Sequence, residues 1–193
     1  MFYYKVDEQI ELRLIERHHG AELLKLVDVN RVHWQQWHPL IRDTLRSAAD
    51  VEQFIVRRLQ QFANNLGFCA GVWFEGHLCG MIYHVNVDWI NRWCSLSYWL
   101  DEAHQGKGIM TASCRVFVSH AFTTWKMNRI TIQCAAQNTR SRAVPERLGF
   151  TFEGIVREME WLYDHYVDHA VYGLLKSDHT DGSSSNAAES TFS

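Results

Sequence analysis

The residues best suited to chemistry fall in two short runs and one pair of carboxylates. Gln105-Gly106-Lys107-Gly108-Ile109-Met110 lies between a strand-like run ending at Leu100 and a segment with helical spacing. Glycines there let the backbone approach a ligand closely, and the first unpaired N–H groups of a helix, at its positive dipole end, seat phosphate oxygens. Two familiar phosphate loops are excluded by spelling. The triphosphate loop needs Gly-Lys-Ser/Thr after four intervening residues, and the third glycine of the dinucleotide fingerprint falls on Thr111. An isolated Gly-x-Gly can equally be a helix start that binds nothing.

About thirty residues on, Asn138-Thr-Arg-Ser141-Arg-Ala-Val-Pro145-Glu146-Arg-Leu-Gly149-Phe150 offers a capping Asn, a Ser one turn in, and a Gly-Phe stop. Pro145 falls inside this helix, so the carbonyl of Ser141 lacks its i+4 partner, which predicts a kink or a bound water beside the serine. Alternation along 155–163 puts Glu158 and Glu160 on one face, where repulsion would raise one carboxylate toward the range of a useful base, with the choice between them open. On residue type alone each group also has a plain structural reading. Ser141 bonds backbone, Asn138 only caps, and the glutamates are solvated edge-strand charges. Trp34 and Trp37, one helical turn apart, read as core. Cys134 has no supporting His and reads as structural, and His165 and His169 with Asp164 and Asp168 lack a cysteine partner, so no metal is expected.

The elements that must position these groups follow from periodicity. Ile10 to Ile15 alternates as a strand, and Gly20 to Trp37 has helical spacing at Leu23, Leu24, Val27 and Trp34. Ser47 begins a second helix with Val51, Phe54, Ile55 and Leu59 on one stripe, closed by Gly67. Three strands then run to Leu100 as an antiparallel meander, with Glu75-Gly76 as a hairpin turn. Helical spacing from Gly106 to Trp125 followed by alternation from Arg129 to Ala135 completes a βαβ unit, hence a parallel pair. After the helix capped by Asn138, two strands cover about Gly154 to Tyr163 and Val167 to Lys176.

The chain of 193 residues, 47% apolar and 21% charged, fits one globular domain over 1–176, and the polar run 177–193 is expected to be disordered. A formal charge of -3 gives no general attraction to nucleic acid, so an anionic ligand must be held locally. Five cysteines without paired spacing read as reduced thiols, and no run is apolar enough to span a membrane. Both point to the cytoplasm.

Taken in order, the glycine loop, the Asn138–Phe150 run, the opening LRLIERHHGAELLKLV, the WQQWHPLI run, the strand SLSYWLDE and the closing G-x-x-R-E-x-E-W-L-Y make a specific set. From about Ile10 to Lys176 the chain resembles the GNAT superfamily of N-acetyltransferases, and within it the RimJ/RimL type. The resemblance implies an α/β (α+β) fold with a mixed, mostly antiparallel sheet of about seven strands flanked by helices. It implies acetyl-CoA as co-substrate, with the strand Ser95 to Leu100 pairing the pantetheine arm and Gln105 to Met110 gripping the pyrophosphate. It further implies Ser141 as the acid for the leaving thiolate, Glu160 as general base, Asn138 near the pantetheine arm, and Trp34 and Trp37 as walls of the acceptor cleft. Two positions depart from the superfamily pattern: Ala103 stands where Gln or Arg is usual, and Pro145 where many members carry a tyrosine acid.

The implied acceptor is a protein N-terminus bearing Ser or Ala, to which Arg140, Arg142 and Arg147 would offer a local basic patch; relatives often form homodimers. A small amine such as a polyamine or aminoglycoside is the alternative acceptor, and a catalytically idle acetyl-CoA sensor is the alternative class. The chemistry is modest, because an α-amino group titrating at about 7.7 to 8.0 is already partly neutral and a carboxylate acting through water suffices as base.

Overall fold

The computed structural model describes residues 3–37 and 44–179. Eight strands form one sheet in the order β1-β2-β3-β4-β5-β6-β8-β7, with β1 Tyr3–Lys5, β2 Ile10–Leu14, β3 Phe68–Phe74, β4 His77–Asp88, β5 Trp93–Leu100, β6 Arg129–Ala135, β7 Thr151–Leu162 and β8 His165–Leu175. Every adjacent pair is antiparallel except β5 with β6. The parallel pair is the expected one, since the helix joining those strands makes the crossover. The sheet has one strand more than expected, because β1 is a three-residue, fully exposed strand too short for alternation to reveal.

Four longer helices flank the sheet: α1 Gly20–Trp34, α2 Ala48–Ala63, α3 Ile109–Thr123 and α4 Thr139–Arg147. Strand alternation sorts the central residues between two cores. Cys69, Trp73, Met81 and Tyr83 pack with Leu23, Val27, Val51 and Ile55 of α1 and α2. Ala70, Val72, Ile82 and Leu96 pack with Cys114, Phe117, Val118 and Ala121 of α3. Burial on both faces explains why β3 reads as a continuous apolar run instead of an alternating one.

Local signals account for most boundaries. Ser47 and Asp50 form a reciprocal capping box at the start of α2. Glu75 and Gly76 both take positive φ, 50° and 82°, as a two-residue hairpin turn requires. Gly67, however, does not close α2. That helix ends at Ala63, and Asn65 takes the left-handed turn at φ 56°. Gly67 is needed for a different reason: a Cβ there would stand 2.7 Å from the carbonyl oxygen of His84. Helix α1 likewise ends at Trp34 and gives way to a turn in which the Trp37 N–H bonds the Trp34 carbonyl.

Two irregularities shape the site. β5 and β6 pair only from Trp93–Ser95 to Arg129–Thr131 and then part, while each continues along its other neighbour as far as Leu100 and Ala135. β7 and β8 slip register between Val156 and Glu160. After β8, Lys176 to Asp178 form a turn, and the N–H groups of Asp178 and His179 bond the Leu175 carbonyl. The rest of the polar tail, residues 180–193, and part of the WQQWHPLI run lie outside the described residues.

Candidate active site

A cleft of about 720 Å³ opens where β5 and β6 diverge, lined on one side by Leu96 to Leu100 and on the other by Ile132 to Ala135. The N-terminus of α3 enters it. Gly106 and Gly108 hold φ of 77° and 78°, and Gly108 caps the helix in the left-handed region. A Cβ at either would meet nothing within 4 Å, so glycine is required here by backbone conformation, not by space. No acidic residue sits in the first turn, which leaves the positive helix end uncompensated and suited to an anion. Gly106, Gly108, Ile109 and Met110 line the cleft; Lys107 does not, and its ammonium lies over the Phe74 ring at 5.5 Å. The side chain of Lys107 is therefore not brought to the site.

Ser141 is held from two sides. Asn138 Oδ1 accepts from its N–H at 3.0 Å, the expected cap. Its carbonyl, orphaned by Pro145, accepts from the Tyr98 hydroxyl at 2.9 Å. The partner expected at that carbonyl was a water or a kink; a tyrosine of β5 fills the role instead, tying α4 to the strand across the cleft. Burial pushes the Cys134 thiol up, and the neighbouring Ser141 hydroxyl partly opposes that push. Arg142 anchors the same helix, its Nε donating to the Tyr172 hydroxyl at 2.8 Å and its Nη1 to the Ala136 carbonyl at 3.0 Å.

A polar chain crosses from α1 to α4 through the glycine loop. The Gln105 amide donates to His33 Nε2 at 2.9 Å, and Gln105 Oε1 accepts from Arg140 Nη1 at 2.6 Å. Trp34 is 5% exposed, bonds the Leu100 carbonyl through Nε1 at 2.9 Å and packs its ring 4.3 Å from Trp99. It is a core residue that also lines the cleft, as does Trp37.

The alternation that would put Glu158 and Glu160 on one face is broken by a bulge. Val156 pairs with His169 and Glu160 with Val167, so three residues of β7 stand against Asp168 alone. Glu158 is looped out at φ 50°, exposed, with its N–H donating to Asp168 Oδ1 at 2.8 Å. In a regular ladder Glu158 would oppose Val167. The two extra residues give that place to Glu160, which lines the cleft. Its Oε2 lies 3.2 Å from His169 Nε2. The four residues that resembled metal ligands thus separate: His165 bonds Asp164, Asp168 holds the bulge and His169 meets Glu160.

Trp34, Trp37, Leu100, Gln105, Gly106, Gly108, Ile109, Met110, Asn138, Ser141 and Glu160 all line one cleft, with Lys107 the exception. Sequence reasoning missed the site roles of His33 and Tyr98, gave Arg140 only a place in a basic patch, and set aside Cys134 and His169. Pro145 announced a carbonyl in search of a donor, though not that the donor is Tyr98.

The comparisons with known proteins agree on family and fold. The family described as acetyltransferase (GNAT) domain matches residues 9–151. "Putative ribosomal N-acetyltransferase YdaF" of Bacillus subtilis is 38% identical over 91% of this chain and 96% of its own. The ribosomal-protein-serine acetyltransferase of Escherichia coli is 28% identical over 89% of this chain and 95% of its own. Among solved structures, RimL, a ribosomal L7/L12 alpha-N-protein acetyltransferase, was determined with coenzyme A disulfide-bonded to one of its cysteines. It superposes with a TM-score of 0.86 at 25% identity, covering 90% of this chain and 98% of that one. With the family match spanning most of the chain and the sheet parting where a cofactor arm would enter, the chain belongs to the GNAT acetyltransferase family and is an N-acetyltransferase.

Proposed function

We propose that the chain transfers acetyl from acetyl-CoA to the α-amino group of a protein N-terminus carrying Ser or Ala, by direct attack in a ternary complex. The observation that carries this reading is that one cleft is lined by a glycine-capped helix start, the unpaired edges of two parting strands and the carboxylate of Glu160. The helix start and the N–H groups of Gly106 to Met110 hold the pyrophosphate, and the free edge of β5 from Leu96 to Leu100 holds the pantetheine arm. The names of the relatives, ribosomal acetyltransferases acting on protein, support the acceptor.

Glu160 takes a proton from the acceptor ammonium, the amine nitrogen bonds the thioester carbon, the carbon–sulfur bond breaks, and Ser141 gives its hydroxyl proton to the departing sulfur and is reprotonated by the surplus proton of the nitrogen that becomes the amide. That RimL was determined with coenzyme A supports a coenzyme A site in this cleft. Asn138 and Tyr98 serve by fixing the N–H and C=O of Ser141, so that its hydroxyl has one approach to the sulfur.

The test is release of free coenzyme A thiol from acetyl-CoA with peptides bearing N-terminal Ser, Ala or Met, beside spermidine and an aminoglycoside. Turnover confined to Ser and Ala peptides is expected. Turnover confined to the small amines would reject the protein acceptor, and binding of acetyl-CoA without turnover on any amine would favour a sensor.

A further inference from the structure

The carboxylate that faces the cleft is not alone there. His169 comes from β8, adjacent to β7, and its Nε2 lies 3.2 Å from Glu160 Oε2, with the imidazole only 15% exposed and the carboxylate 32%. Both side chains line the cleft. The contact exists because of the bulge, since pairing places Val156 opposite His169 and Glu160 opposite Val167, bringing the two groups onto one face as diagonal neighbours.

The other ring nitrogen decides the direction of the bond. His169 Nδ1 is buried and has no hydrogen-bond partner among the described residues. A proton on Nδ1 would bury a donor with no acceptor, whereas a single proton on Nε2 leaves Nδ1 bare and directs the donor at Glu160. The tautomer assigned by this network has His169 donating to one oxygen of the carboxylate. The second carboxylate oxygen has no partner among the described residues. We infer that His169 is a positioning residue that occupies Oε2 of Glu160 and turns Oε1 toward the acceptor amine. The inference rests on the reading of Glu160 as the base, and it adds a residue that does not itself touch substrate.

The remaining ionisable groups of the cleft are His33, Tyr98, Glu102, Cys134, Arg140 and Arg147. His33 is engaged with Gln105 and Glu102, Tyr98 with Ser141 and Arg140 with Gln105. None of these contacts reaches Glu160, so His169 is the group whose removal acts on the base directly.

The experiment compares wild type with His169→Leu, His169→Gln and Glu160→Gln, measuring kcat with the best peptide acceptor and acetyl-CoA binding by calorimetry. His169→Leu should lower kcat about 10- to 100-fold, the worth of a hydrogen bond to a charged group. His169→Gln, which keeps a donor near Nε2, should recover most of the rate. Acetyl-CoA affinity should stay within about twofold throughout, and adding His169→Leu to Glu160→Gln should cost nothing further. A fall in kcat in His169→Leu with no recovery in His169→Gln would overturn the inference, as would an unchanged kcat in His169→Leu while Glu160→Gln is impaired. Absence of wild-type turnover on every amine, or a Glu160→Gln variant as fast as wild type, would instead overturn the reading beneath it.

Discussion

The two ends of the cleft are built from different material. At the glycine loop the functional surface is backbone: positive-φ glycines, helix N–H groups and the unpaired edge of β5, set into strands and a helix whose inner residues are fully buried. At the β7–β8 hairpin it is side chain. Glu160 and His169 stand on a largely exposed outer pair whose register is broken by a bulge, and Glu158 is held out by one bond to Asp168. A backbone surface cannot be altered one residue at a time without changing conformation, which suits a ligand common to a whole family. A side-chain surface on an edge can be retuned cheaply, which suits an acceptor that differs between members.

The sharpest way to break this comparison is at the acceptor end. Glu160→Gln is expected to lower kcat by about 100- to 10,000-fold, the range for a lost general base, with the acetyl-CoA dissociation constant within about twofold. Calorimetry and single-turnover kinetics on the same preparation check both halves. Between the two ends lies Tyr98. Tyr98→Phe strands the Ser141 carbonyl and should cost about 1 to 3 kcal/mol in denaturant unfolding, while also slowing turnover through a looser Ser141. A variant as stable and as fast as wild type would mean the cross-cleft tie is idle.

At the backbone end Gly108→Ala should be destabilising by about 1 to 2 kcal/mol, the cost of a left-handed conformation for an L-residue, and should weaken acetyl-CoA binding more than it slows the bound enzyme. The reverse pattern would erase the distinction between the ends. The smallest effect near neutral pH is a control remote from both. His84 is 1% exposed, packs its ring 4.7 Å from Phe117 and donates through Nε2 to the Phe117 carbonyl, and burial pushes its pKa down to about 3. The unfolded chain takes up that proton near 6.5. The stability His84 confers is therefore present above pH 6.5 and lost as the pH falls toward 3, by at most about 1.4 kcal/mol per pH unit. His84→Gln should flatten that slope in thermal melts between pH 7 and 5; an unchanged slope would assign acid sensitivity to another group.

The same contrast explains what the sequence disclosed. The β3–β4 hairpin was legible because Glu75-Gly76 announces its own geometry, and the glycine loop because left-handed residues at a helix start have few purposes. The orphaned carbonyl of Ser141 was legible from Pro145 alone, but its donor was not, because Tyr98 lies 43 residues earlier and only the sheet brings it near. The bulge was hidden for a local reason. Its positive-φ residue is Glu158, not a glycine, and what holds it is Asp168 of the next strand, so strand periodicity put Glu158 and Glu160 on one face and left the choice between them open. Gly67 shows the opposite error: a glycine that looked like a helix stop is there to let backbone approach His84.

The account stands most directly on one single-turnover measurement: acetyl-CoA preloaded on wild type and on Glu160→Gln, mixed with a Ser-initiated peptide, with thiol release followed in time. It predicts equal loading of the two proteins and a rate at least about 100-fold slower in the variant. Equal loading with equal rates would contradict it, leaving the backbone end as a cofactor site and removing the β7–β8 carboxylate from the chemistry.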